Sequence, residues 1–216
     1  MSVVRSLALA LAAGLSSAAV AAPPPRRPAP AAVAPATPIQ LVRRLLGIPQ
    51  RVAVGGSRGN LAGSICLISP AAGSPVPLPA PTLLVAGELN EVRLEQGDQL
   101  LWRQRASSTT AIRGPIVWPI APLRPGESVL LKMRPRGSSG ADFATITLTA
   151  ASKPALERHT ALLQSLGADR QRWSQAIEQA ALTHPPLAIA LLASPEAPAD
   201  VQAAAAQLTC GSAASR

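Results

Sequence analysis

A serine in a glycine-rich segment has the most direct catalytic interpretation in this sequence. Residues 55–59 are Gly-Gly-Ser-Arg-Gly and match Gly-x-Ser-x-Gly, which places a nucleophile on a sharp strand-to-helix turn, with an acid and a histidine later in the chain. Here a glycine-rich turn and a strand pattern follow, and His159 and His184 lie in helical patterns. We therefore interpret the segment as a turn between strands. A serine esterase at Ser57 is the enzymatic alternative.

Histidine and acidic side chains do not cluster along the chain. His159 lies on the apolar face of a helical pattern, and two histidines without suitably spaced carboxylates do not form a metal site. Asp98 and Asp142 are isolated acidic residues in predicted loops. The sequence therefore presents no pair of neighbouring carboxylates for general acid–base catalysis. No glycine-rich phosphate loop is followed by Lys and Ser or Thr. The sequence predicts no catalytic residues, no metal and no cofactor.

Arginine dominates the charged residues. Lys and Arg number 20 against 11 Asp and Glu, a formal net charge of +9, which favours anionic partners. Arg93, Arg103 and Arg105 are predicted to share the outer face of a hairpin, where they form a candidate patch for an anionic ligand. Glu91 and Glu95 are close enough in sequence to neutralise this patch, so an ordinary solvated surface is the alternative.

Residues 1–21 have the pattern of a secretory signal peptide. Arg5 gives a positive start, Leu7–Leu15 is apolar, and Ala-Val-Ala at 19–21 fits the small-x-small cleavage rule. The segment is shorter than the roughly 20 strongly apolar residues of a stable span. We expect cleavage after position 21, export to the periplasm or the extracellular space, and no remaining transmembrane segment. An uncleaved anchor is the alternative.

Cys66 and Cys210 are the two cysteines of the chain and lie far apart in it. Two thiols do not make a four-thiolate zinc site. In an oxidising compartment a disulfide is expected, and it would join an early strand to the last helix. The alternative is a buried free thiol at Cys66 and an exposed one at Cys210.

Residues 22–50 precede the predicted folded part. Up to Pro38 they are rich in proline and alanine, with too little apolar bulk and too few N–H donors to fold alone. We predict an extended, semi-stiff spacer, followed by a short amphipathic helix at Ile39–Ile48.

Alternation with a period of two predicts a β body over residues 51–151. Within Glu91–Glu95, Val92 and Leu94 are expected to face inward and the three charged residues to face outward. Gln96–Gln99 has the form of a hairpin loop. Short antiparallel strands at this spacing predict an immunoglobulin-like sandwich. The strand patterns are Arg51–Val54, Ser64–Ser69, Thr82–Val85, Glu91–Glu95, Leu100–Arg105, Ile116–Ile120, Val129–Met133 and Ala144–Leu148.

The period changes to that of a helix at residue 152. A first helix is predicted to end at Gly167 and a second to be capped by Asp169. Leu187–Ala193 is a third helix, and Ser194 before a proline is expected to open a fourth that ends near position 210. The prediction is a helical tail over 152–210 and a disordered terminus over 211–216.

Several of these residues occur in a recognisable order. Arg58 and Gly59, then Cys66, then Trp118 and Pro119 together resemble a family of exported cyanobacterial proteins that carry a Gly-x-Arg-Gly-Cys-like element. The resemblance covers about residues 51–210. It implies an immunoglobulin-like sandwich, a short helical tail and export, and it implies no activity, because the family has none established.

The sequence favours a non-catalytic interaction module. Its expected partner is an envelope protein or an acidic glycan, and export argues against nucleic acid. Trp102 and Trp118 are expected to anchor the core, and an exposed pair that stacks on sugar is the alternative. A structural envelope scaffold that pairs through a sheet edge is the alternative function.

Overall fold

Six β-strands precede four α-helices in the computed structural model of the chain, which describes residues 65–138 and 142–208. The predictions made for residues 1–64, for Cys210 and for the terminus over 211–216 lie outside the described residues. The strands are β1 (Cys66–Ser69), β2 (Leu84–Ala86), β3 (Leu89–Gln96), β4 (Gln99–Arg105), β5 (Ser128–Pro135) and β6 (Ala144–Thr149). The helices are α1 (Lys153–Leu166), α2 (Arg170–Thr183), α3 (Pro185–Leu192) and α4 (Ala199–Ala206).

Four of the strands form an antiparallel sheet in the order β4-β3-β5-β6. Its inner face is apolar because alternate residues of each strand point to the same side, and Val92, Leu94, Leu131 and Met133 are completely buried there. Strands β3 and β4 are joined by Gly97 and Asp98. The predicted hairpin is confirmed.

Strands β1 and β2 form a separate two-stranded antiparallel sheet. Both of its faces are buried. One face joins the core beneath the four-stranded sheet through Ile65, Leu67, Leu83 and Val85. The other joins the core of the helices through Cys66, Ile68 and Leu84. The prediction that alternate residues of the first of these strands face opposite sides is confirmed, and the small sheet contributes to two cores.

The helical region begins as its sequence predicts. Helix α1 ends before Gly167, and the carboxylate of Asp169 accepts hydrogen bonds from the backbone N–H groups of Gln171 and Arg172, at 2.9 and 3.2 Å. This cap satisfies donors that the first turn of α2 leaves without helical partners. Trp173 lies one turn further on and is completely buried in the helical core.

The strand predicted at Ile116–Ile120 does not form. Ile116 makes a single antiparallel bridge to Leu83, and the segment continues as irregular chain. Proline has no N–H to donate to a neighbouring strand, so Pro115 and Pro119 prevent a ladder that the alternation of apolar residues alone would favour.

The fourth helix begins later than predicted. The hydroxyl of Ser194 accepts a hydrogen bond from the N–H of Glu196 at 3.2 Å, but α4 begins only at Ala199, with Pro198 at its N-cap. A proline disfavours helical dihedrals in the residue before it. Ala197 is therefore unable to continue a helix that starts at Ser194.

The described residues all lie in one compact unit. Antiparallel β structure followed by a helical C-terminal region is confirmed. The immunoglobulin-like arrangement of the strands stays a prediction.

Candidate anion-binding surface

The outer face of the four-stranded sheet carries a cluster of cationic side chains. The strand register places Arg93 between Arg103 of β4 and Lys132 of β5, and places Glu91 between Arg105 of β4 and Arg134 of β5. Both sets of neighbours lie on the outer face because residues two apart on a strand point to the same side of the sheet. We call these five cations the cationic patch: Arg93, Arg103, Arg105, Lys132 and Arg134.

Glu91 is the buried centre of this surface. Its side chain is 0% exposed, although it points away from the apolar core. One carboxylate oxygen accepts a hydrogen bond from Nε of Arg93 at 2.6 Å and lies 3.5 Å from Nε of Arg105. The other oxygen accepts from Arg134. Glu91 lies on the outer face as predicted, but it is not exposed to solvent, because three guanidinium groups from three strands cover it.

The charges around Glu91 control its ionisation. Burial by itself raises the pKa of the Glu91 carboxyl. The hydrogen bond from Arg93 and the positive charges of Arg93, Arg134 and Arg105 together outweigh burial, so the pKa lies below its ordinary value. Glu91 is therefore an anion at neutral pH and holds the surrounding arginines in place.

The second carboxylate of this face neutralises the β5 side of the patch. Glu95 lies 2.6 Å from Nζ of Lys132 and 4.0 Å from Arg93. The ring of Phe143 lies beside the same group of cations, with its centroid 4.6 Å from the guanidinium carbon of Arg93 and 5.2 Å from that of Arg134. These cation–π contacts help to fix the orientation of both guanidinium groups.

The β4 side of the patch has less compensation. Arg103 is exposed, and no carboxylate of the described residues lies within 4.0 Å of its guanidinium. Arg105 is 58% exposed and approaches Glu91 only at 3.5 Å. The five cations and two carboxylates of this described part of the sheet leave an excess of three positive charges, and the excess is concentrated on β4.

The three arginines predicted as a patch thus have two different environments. Arg93 is a structural partner of Glu91, whereas Arg103 and Arg105 have donors directed to solvent. Sequence reasoning did not include Lys132, Arg134 or Phe143 in this surface. The alternation within β5 places Arg134 on a polar face, but it does not reveal which strand becomes the neighbour of β5.

The other predicted site residues lie away from the patch. Trp118 is buried, and its indole N–H donates to the carbonyl of Ala121 at 3.0 Å. Trp102 is partly buried against the same core. Cys66 is completely buried and is not a free thiol. Cys210 lies outside the described residues, so a Cys66–Cys210 bridge stays a prediction. Ser57, Arg58 and Gly59 also lie outside them.

Two histidines meet between the β body and the helices. The ring centroids of His159 and His184 are 5.2 Å apart. Nδ1 of His159 lies 3.0 Å from the carbonyl oxygen of Pro77, so this nitrogen carries the proton. Nδ1 of His184 accepts from the N–H of Leu187 at 3.2 Å and caps α3, so it is unprotonated. Among the described residues, no group of three or more metal-ligating side chains surrounds them.

Acidification is expected to destabilise the fold through His159. Burial lowers its pKa, and His184 and Arg158 lower it further, whereas the bond to Pro77 opposes the change. The unfolded chain then binds a proton that the folded chain excludes. The contribution of His159 to the free energy of unfolding is fully present above the pKa of about 6.5 that it has in the unfolded chain. This contribution is lost as the pH falls through its lower pKa in the folded chain. Urea unfolding at about pH 8 and about pH 5.5 should reveal this loss, and it should shrink in His159→Gln. An equal loss in the variant would contradict it.

A small cleft lies near this junction. It has a volume of about 280 Å³ and is lined mainly by apolar side chains, including Leu78, Val117, Trp118, Leu163 and Ala190. It contains none of the cationic patch. Its charged lining residue is Glu196, and no Lys or Arg lines it, so the cleft does not favour an anionic ligand.

No family model, curated protein or solved structure matches the chain. None of the described helices has both the length and the apolar character needed to cross a bilayer.

Proposed function

We propose that this chain is an exported, non-catalytic interaction module that binds an anionic ligand through the outer face of β3 and β4. The observation that carries the proposal is the environment of Arg103 and Arg105. Both are exposed on one strand, and compensation by carboxylates is weak or missing in the described residues. Guanidinium groups with free donors bind carboxylate, sulfate or phosphate oxygens in bidentate geometry.

The buried ion cluster behind these residues supports the same proposal. Glu91 and Phe143 hold Arg93 and Arg134 at the rear of the surface. Their positive charge adds to the potential at β4 without requiring these side chains to move. Binding of a ligand then orders fewer side chains of the protein than it would on a surface of mobile lysines.

The proposal includes several expectations from the sequence. The segment 1–21 directs export, residues 22–50 act as a spacer, and the strands belong to an immunoglobulin-like sandwich. A Cys66–Cys210 disulfide, the form expected after export, would tie the last helix to β1. The ligand would be an anionic protein or glycan of the cell envelope.

Removing the two exposed arginines is expected to weaken binding of an anionic polymer. For Arg103→Gln with Arg105→Gln, we expect a dissociation constant for dextran sulfate that is raised roughly 5–30-fold, corresponding to two exposed ion pairs of about 0.5–1 kcal/mol each. Binding is measured by isothermal titration calorimetry at low and high salt. The wild-type affinity should fall as salt rises.

The matched control removes two exposed cations elsewhere. Lys153→Gln with Arg158→Gln lowers the net charge equally but acts on α1. We expect less than a twofold change for this variant. Equal losses in both double variants would mean that only the net charge matters, and the proposed surface would be rejected.

A further inference from the structure

Within the described part of the chain, strand β4 lies at one edge of the four-stranded sheet without a neighbour on its outer side, and it carries the exposed arginines. Strand β4 is the first strand in the order β4-β3-β5-β6, and its described pairing is with β3. The N–H of Ala106 donates to the carbonyl of Asn90 at 2.8 Å, so these two residues form a hydrogen-bonded pair. In an antiparallel ladder such pairs alternate with pairs that do not exchange hydrogen bonds.

The alternation determines where the backbone of each arginine points. Arg105 lies opposite Glu91, one step from the hydrogen-bonded pair, and Arg103 lies opposite Arg93, two steps further along. Both are therefore non-hydrogen-bonded positions with respect to β3. Their N–H and C=O groups point outward from the sheet edge, and their guanidinium groups stand on its outer face.

We propose that β4 accepts an extended acidic peptide strand from another protein, which pairs with the backbone of Arg103 and Arg105 and places its carboxylates against their guanidinium groups. This inference rests on the proposed function and assigns its ligand to peptides rather than polysaccharides. When an extended peptide adds a strand to a sheet edge, main-chain hydrogen bonds provide the affinity and every second side chain of the peptide provides the specificity.

The charge of β4 argues against a second copy of the chain as the occupant. If two β4 strands paired antiparallel about Gln104, Arg103 of each copy would lie opposite Arg105 of the other. Like charges directly opposite each other destabilise a strand pair, and positive charge on an edge opposes self-association. The arrangement favours a strand of opposite charge.

The remainder of this chain does not supply such a strand. All 11 Asp and Glu residues lie between positions 88 and 200, so residues 1–64 and 209–216 contain none. Residues 1–64 and 209–216 therefore do not provide the acidic strand, and we assign it to another molecule. Its intervening side chains would lie on the opposite side of the edge, beside the partly buried ring of Trp102, so an apolar residue between acidic ones suits the site.

The test compares three probes on the full mature protein. The first is a seven-residue peptide of alternating glutamate and valine. The second is the same peptide with its backbone nitrogens methylated at alternate positions, which keeps the charge and removes donors. The third is dextran sulfate. We expect methylation to weaken peptide binding roughly 10–100-fold, as for the loss of two or three hydrogen bonds.

Amide hydrogen exchange of β4 adds a readout specific to strand pairing. The unmethylated peptide should slow exchange at Arg103 and Arg105 more than at Trp102 and Gln104, whose amides already face β3. Equal affinity of both peptides, or unchanged exchange at Arg103 and Arg105, would overturn the strand proposal. If dextran sulfate still binds through the two arginines, the proposed function stands. If it also fails to bind, the proposed function fails as well.

Discussion

Replacement of Trp173 by alanine is expected to lower the free energy of unfolding by about 3–5 kcal/mol, the range found when a large aromatic side chain is removed from a core. Trp173 is 0% exposed, and its indole N–H donates to the carbonyl of Gly167 at 2.8 Å. The substitution creates a cavity and leaves that carbonyl without its partner. Chemical denaturation monitored by far-ultraviolet circular dichroism measures the change.

Leu182 provides a control on the same helix. It is 67% exposed, so Leu182→Ala should change the free energy of unfolding by less than about 0.5 kcal/mol. A loss below about 1 kcal/mol in Trp173→Ala would contradict the close packing that we describe, because a fully buried tryptophan contributes more than that by its transfer free energy alone.

Replacement of Glu91 by glutamine is expected to destabilise the fold by about 2–4 kcal/mol. This range lies between the values for breaking buried and exposed ion pairs, because Glu91 is fully buried but its arginine partners are partly exposed. The neutral amide leaves Arg93 and Arg134 without their shared counter-ion. Urea denaturation at neutral pH measures the effect, with Glu157→Gln on α1 as the control for an exposed pair.

The same variant is expected to change the dependence of stability on pH. The pKa of Glu91 is lower in the folded state than in the unfolded state, so its contribution is present above the unfolded pKa and is lost as pH falls through the folded value. Wild-type protein should therefore lose stability below about pH 4.5, and Glu91→Gln should lose less over that interval. Parallel pH profiles would show that Glu91 does not organise the cluster.

Local patterns predicted most of the described elements for physical reasons that can be identified. Strand β5 was predictable because Val129, Leu131 and Met133 alternate with polar or less buried positions. The start of α2 was predictable because Asp169 provides an acceptor for the first turn. In each case the residues that determine the element lie within one short segment of the sequence.

The failures required information from outside the segment. Ile116 and Trp118 alternate like a strand, but the missing N–H donors of the flanking prolines, Pro115 and Pro119, prevent pairing. Glu91 occupies an outward position as predicted, yet it is buried because Arg105 and Arg134 arrive from the two neighbouring strands. The order of the strands in the sheet determines the environment of Glu91. The alternation of residues within β3 does not reveal that order.

The candidate surface was predictable to a similar degree. Arg103 and Arg105 can be placed on one face of a hairpin from sequence alone. Their difference from Arg93 depends on the positions of Glu91 and Glu95 relative to three strands. The outward backbone of Arg103 depends further on the hydrogen-bonding phase of the ladder, which the hairpin pattern does not specify.

The double role of β1 and β2 restricts how this protein is able to change during evolution. Cys66, Ile68 and Leu84 belong to the same core as the helices, although the helices follow them by many residues in the chain. A recombination event that removed residues 153–206 would leave these apolar side chains against water. The excised helices would in turn lose the apolar face of β1 and β2 against which they pack. The helical tail is therefore not a portable unit, and the β body and the tail are expected to be inherited together.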